Sequence, residues 1–89
     1  MILRDFLNKL LWDDQYGLHR GDYEIIYTHR GAPRNQLKIN CSEIVCVNPD
    51  SFEYYDKYLD EKKRIPFHRI EQIFNHDKKE IVYKKALRR

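Results

Sequence analysis

Residues 23–33 read YEIIYTHRGAP, and they fix where the first strand of a sheet runs and where it ends. β-Branched and aromatic side chains dominate the start of this stretch, which favours a strand from Tyr23 to His29. Gly31 and Pro33 then break the extended pattern and open a loop. We expect the loop at 31–35 to hold an anion, because Gly31 allows close backbone approach and Arg34 adds a cation.

The residues before this strand predict an amphipathic helix over about residues 2–12. Its apolar side chains recur at helical spacing, while charged and amide side chains fill the opposite side. The apolar positions are Leu3, Phe6, Leu7, Leu10 and Leu11. A helix with one apolar face needs a sheet to cover, and residues 15–21 read as the connection to it.

Further strand patterns follow the first strand. Apolar and polar side chains alternate over Leu37–Cys41 and Ser51–Tyr58, and a last strand at Glu80–Lys84 leads into a basic tail at 84–89. Residues 59–63 are strongly charged and read as an exposed connection.

A weak internal repeat relates residues 39–47 to residues 65–73 at an offset of 26, with apolar side chains at matching places. Ser42 predicts a tight or single helical turn that it caps, and His68 takes its place in the second copy. We therefore predict a strand, a corner at His68-Arg69 and a strand over about 70–74. The prediction as a whole is an α+β domain spanning 1–89, in which the N-terminal amphipathic helix packs on an antiparallel sheet of about five strands at about 23–84.

The composition describes a water-soluble globular protein of one modest core. The chain has 89 residues, 35% of them charged, and a net charge of +3. No apolar run approaches the roughly 20 residues that cross a bilayer, and no secretory signal pattern is present, so we expect a cytoplasmic protein without membrane contact. Cys41 and Cys46 lack a second Cys/His pair and are expected to be reduced thiols, and no cofactor pattern is found.

Two His-Arg pairs are the candidate site. His29-Arg30 follows the first strand and His68-Arg69 follows Pro66, so both lie beside turn-forming residues. An imidazole next to a guanidinium fork can grip a phosphate. The alternative is that these are solvated side chains at strand ends.

Three functional readings stay open from the residues. His29 and His68 could act as acid and base in a small phosphodiesterase or cyclic-phosphate hydrolase, since imidazoles titrate near neutral pH. The site could instead bind without catalysis, or an aromatic surface could dock a protein. A metal site is disfavoured by ligand spacing, and His19 and His76 look incidental.

The order of these motifs, from Trp12 through residues 27–33 to residues 65–70, resembles a family of small, largely uncharacterised archaeal proteins. The family is named for a predicted role in recognising cyclic-phosphate or processed ends of RNA. The resemblance implies RNA as the partner, single-stranded or at 3′ ends, and RNA-processing enzymes as further partners. The polar signature of the family falls on Tyr27, His29, Arg30, His68 and Arg69. We add Arg34 to these candidate residues because it lies in the loop. Tyr83-Lys84 differs from the Val-Trp ending that is common in the family.

Overall fold

A computed structural model describes residues 3–12 and 20–85 of the chain, and it shows one helix and two antiparallel sheets. The predicted α+β class is confirmed. The elements in chain order are α1 (Leu3–Trp12), β1 (Tyr23–Thr28), β2 (Gln36–Asn40), β3 (Ile44–Val47), β4 (Ser51–Asp56), β5 (Glu61–Pro66), β6 (Ile70–Asn75) and β7 (Glu80–Lys84).

The expectation of a single sheet of about five strands is wrong. A four-stranded sheet has the order β2-β1-β6-β7, and a three-stranded sheet has the order β3-β4-β5. The predicted third strand ends at Asp56, because the Asp56 carboxylate accepts hydrogen bonds from the backbone N–H groups of Tyr58 and Leu59 and turns the chain. Strand β5 already begins at Glu61, inside the stretch that we interpreted as a connection.

The internal repeat is confirmed as a pair of corners. Cys41–Glu43 and Phe67–Arg69 are both single 3₁₀ turns, at the predicted offset. The first turn leads from β2 in the four-stranded sheet to β3 in the other, and the second leads from β5 back to β6. Each corner therefore carries the chain from one sheet to the other.

The two corners are fixed in different ways. At the first corner the cap is Asn40 rather than Ser42, since the Asn40 side chain accepts from the Ser42 N–H and Glu43 completes a capping box. Pro66 holds the same position at the second corner, where the Phe67 N–H donates to the Asp50 carbonyl over 3.0 Å.

One core lies between the elements and joins both sheets to the helix. Its fully buried hydrophobic side chains come from α1, β1, the first corner, β4 and β6: Leu7, Leu10, Ile25, Tyr27, Cys41, Phe52, Ile70 and Ile73. The helix packs beside β3 and sets Phe6 edge-on to Tyr23, with ring centroids 5.4 Å apart. No helix among the described residues is long and apolar enough to cross a membrane.

Both cysteines are free thiols, as predicted. Cys41 lies in the core and Cys46 is half-buried. Burial raises the pKa of the Cys41 thiol to about 12, because the apolar surroundings disfavour a thiolate, and Glu24 adds to the effect. Cys41 is thus a protonated core side chain rather than a nucleophile.

Candidate nucleic-acid interface

Both His-Arg pairs lie at the same end of the four-stranded sheet. Tyr27, near the end of β1, pairs with Ile70, the first residue of the antiparallel neighbour β6. His29-Arg30 therefore leaves β1 at the end of the sheet where His68-Arg69 enters β6. We call residues 29–35, 67–69 and 84–85 the cationic end, because they form the loops and strand termini at this edge.

The loop between β1 and β2 is closed by backbone hydrogen bonds and not by its cations. The His29 N–H donates to the Asn35 carbonyl at 2.8 Å, and the Asn35 N–H donates to the Ala32 carbonyl at 2.8 Å. Gly31, Arg34 and Asn35 have φ of 93°, 58° and 56°, in the left-handed region. The loop is a tight turn with a defined backbone, as expected for a rigid ligand platform.

The arginines of the cationic end are exposed to solvent. Arg30, Arg34 and Arg69 are exposed. Within residues 3–12 and 20–85, no carboxylate pairs with any of these three guanidinium groups. Arg64 is different, because it binds Asp50 at 3.1 Å and Ser51 at 2.9 Å. The fork geometry of the three unpaired arginines is available for an external anion.

The second His-Arg pair sits on an anchored corner. Ile70, directly after Arg69, is completely buried, and the Phe67 N–H is bonded to Asp50. Lys85 follows β7 and reaches the same corner: its N–H donates to the Glu71 carbonyl at 2.8 Å, and its ammonium donates to the His68 carbonyl. The backbone of His68 and Arg69 is thereby held from both sides.

Tyr27 stands apart from the other predicted site residues, because its side chain is in the core and 1% exposed. Its hydroxyl is hydrogen-bonded to the Tyr54 hydroxyl at 2.7 Å, and burial together with this bond raises its pKa above the ordinary tyrosine value. The Tyr27 ring meets the His29 ring nearly at right angles, with centroids 6.4 Å apart. Tyr27 therefore supports His29 and does not present an open face to a ligand.

The sequence did not single out Thr28 and Glu71 as residues of this end, and it indicated Lys84 and Lys85 only as part of the basic tail. Thr28 donates to the Glu71 carboxylate at 2.6 Å, and Glu71 lines a cleft of about 220 Å³ together with Lys84 and Lys85. No sequence motif links these side chains. Strand pairing brings them together, since Gln72 faces Lys84 across β6 and β7.

The remaining histidines lie elsewhere. His76 is 3.6 Å from the Glu24 carboxylate near the opposite end of the sheet, where Tyr23 pairs with Asn75. His19 and residues 86–89 of the basic tail lie outside the described residues. Among the residues that are described, no three His, Cys, Asp or Glu side chains are arranged to hold a metal ion.

The fold and the candidate site define a small α+β domain that exposes guanidinium groups at one end of its four-stranded sheet. More particularly, the chain belongs to the MJ1316 RNA cyclic group end recognition domain family, which matches residues 1–85.

Its relatives are archaeal proteins of similar length. It is 42% identical over 85 residues to a UPF0248 protein of Methanococcus vannielii, covering 96% of this chain and 93% of that protein. It is 36% identical over 84 residues to the UPF0248 protein MJ1316 of Methanocaldococcus jannaschii, covering 94% of each. No solved structure matches the chain significantly.

Proposed function

We propose that this domain binds RNA ends that carry a 2′,3′-cyclic phosphate, or the phosphate to which it opens, at the cationic end. The observation that carries the proposal is the placement of two His-Arg pairs at neighbouring strand ends, where the exposed guanidinium groups pair with no carboxylate among residues 3–12 and 20–85. The family description, RNA cyclic group end recognition, supports this choice of ligand. The proposal extends to a role in RNA processing or repair in the cytoplasm, alongside RNA-processing enzymes.

The chemistry of the cationic end suits a terminal phosphate. A cyclic phosphodiester presents two non-bridging oxygens, which match the two parallel N–H donors of a guanidinium. Arg69 is the strongest candidate contact, since it sits on a corner fixed by Pro66 and by buried Ile70. A guanidinium with a fixed backbone loses less entropy on binding than one on a mobile segment.

The test compares Arg69→Lys with the wild type on two RNAs that differ only in their 3′ end, cyclic phosphate or hydroxyl. Lysine keeps the charge but offers no planar fork, so binding to the phosphate-ended RNA should weaken by about 1 kcal/mol or more. Binding to the hydroxyl-ended RNA should change less. Fluorescence anisotropy titrations measure all four affinities.

Arg4→Lys is the matched control, because Arg4 is an exposed arginine on α1, outside the cationic end. It should leave both affinities unchanged. An Arg69→Lys variant that loses nothing, or loses equally on both RNAs, contradicts the assignment of Arg69 to the terminus.

A hydrolase is the second candidate function, favoured by the placement of His29 and His68 at one sheet end. One imidazole could activate water while the other protonates the leaving oxygen. Incubation with cyclic-phosphate RNA distinguishes the two functions. We expect the cyclic end to persist; its opening with a bell-shaped pH dependence that either His→Ala variant abolishes would establish the hydrolase instead.

A further inference from the structure

A cleft of about 260 Å³ opens between β2 of one sheet and the end of β4 in the other. Four tyrosines line it, and they differ in exposure. Tyr58 is 89% exposed and Tyr55 40%, whereas Tyr27 and Tyr54 are buried. The cleft thus combines a buried aromatic floor with aromatic rings that face solvent.

This cleft and the cationic end share a boundary. Tyr27 lines the cleft, and its ring centroid is 6.4 Å from that of His29. Leu37, a second lining residue, faces Tyr27 across the strand pair one residue after β2 begins. A group bound at His29 is therefore adjacent to the cleft.

The charges around the cleft disfavour a phosphate inside it. Lys38 and Lys57 line it, but so do the carboxylates of Glu43 and Asp56. Asp56 is 3.2 Å from the Lys63 ammonium, which lies outside the lining. With two cations and two acidic residues in its lining, the cleft offers an anion no excess of positive charge, and it suits an uncharged planar group better.

We propose that the cleft receives the base of the terminal RNA nucleotide while its phosphate binds at the cationic end, and that Tyr58 and Tyr55 stack on this base. The inference rests on the proposed function and extends it to a second subsite. Sites for drug-sized ligands take about 300–1,000 Å³, so a cleft of about 260 Å³ fits one base. Aromatic stacking accepts any base, because each presents a π-face.

The experiment uses three single-stranded RNAs. The first ends in a normal nucleotide with a 2′,3′-cyclic phosphate, the second replaces the terminal base with hydrogen and keeps the cyclic phosphate, and the third keeps the base and ends in hydroxyl. The wild type should bind the first RNA at least about fivefold more tightly than the second. This ratio corresponds to the lower end of the binding free energy that one base–aromatic stack contributes. Tyr58→Leu should remove much of this ratio.

Two control variants test the role of the ring. Tyr58→Phe keeps the aromatic face and should keep the affinity ratio. Trp12→Leu removes an aromatic ring that is 76% exposed but outside the cleft lining, so it should keep the ratio as well. Tyr58 is so exposed that its replacement should leave the fold intact, which circular dichroism checks.

The outcomes separate the two proposals. Equal binding of the first and second RNAs, with tighter binding of both than of the third, overturns the base subsite while the proposed function stands. A Tyr58→Leu variant that loses equal affinity for the first two RNAs also overturns it. No preference for the first RNA over the third overturns the proposed function and, with it, this inference.

Discussion

At the scale of single residues, the Tyr27-Tyr54 hydroxyl pair links the core to the candidate site. Both side chains are buried, and their hydroxyls are 2.7 Å apart. One hydroxyl donates to the other inside the buried pair. Removing one hydroxyl leaves its partner buried with a lost hydrogen bond, whereas removing both avoids that penalty.

Tyr27→Phe should therefore lower the free energy of unfolding by about 1–3 kcal/mol. The double variant Tyr27→Phe/Tyr54→Phe should recover part of this loss, which urea denaturation measures. Tyr58→Phe is the control, because loss of its exposed hydroxyl should change the free energy of unfolding by less than about 0.5 kcal/mol. Two single variants whose losses simply add in the double variant would show that the hydroxyls do not depend on each other.

At the scale of elements, the loop between β1 and β2 depends on backbone that only glycine adopts readily. Gly31 has φ of 93°, and a Cβ placed there meets no atom within 4 Å. Gly31→Ala should thus cost about 1–2 kcal/mol of stability through backbone strain alone. Because the loop carries Arg30 and Arg34, the variant should also weaken binding to phosphate-ended RNA.

Gly21→Ala is the matched control for that loop. Gly21 also has open space around its Cβ position, and its φ does not fall in the left-handed region. It should change neither thermal stability nor RNA affinity appreciably. Equal effects of the two substitutions would mean that the left-handed conformation of Gly31 is not what holds the loop.

The elements that the sequence predicted are those with local signals. Helix α1, strand β1 and the two corners follow from apolar periodicity and from the repeat. Both signals are visible in the local sequence. Strand β5 was missed at its start because residues 61–64 are all charged and show no alternation. Its strand character comes from pairing with β4 along its whole length, which is a tertiary effect.

The candidate site was predictable to a similar degree. The His-Arg pairs stand out as motifs beside turns, but their meeting at one sheet end depends on the register between β1 and β6. Tyr27 carried a signal for burial, since it alternates with buried Tyr23 and Ile25 along β1. Lys85 was indicated only as part of the basic tail, because the extension of β7 is what brings it to His68.

At the scale of the whole molecule, the distribution of charge should affect RNA binding more than the net charge does. A net charge of +3 gives only a mild attraction to RNA in general. Three other cations have acidic partners, in the pairs Arg4-Asp5, Lys63-Asp56 and Arg64-Asp50. The exposed arginines of the cationic end, which pair with no carboxylate among residues 3–12 and 20–85, should therefore supply a large part of the electrostatic attraction to RNA.

The affinity for short phosphate-ended RNA should fall with salt in proportion to the few phosphates that these arginines contact. Binding to single strands loses roughly 0.7 in the log-log slope per phosphate contact, so three contacts by Arg30, Arg34 and Arg69 predict a slope of about −2. Arg30→Gln and Arg69→Gln should each make the slope shallower by about 0.7, whereas Arg4→Gln should leave it as in the wild type. Titrations between low and moderate salt give the slopes, and an affinity that does not respond to salt would favour an uncharged protein partner over RNA.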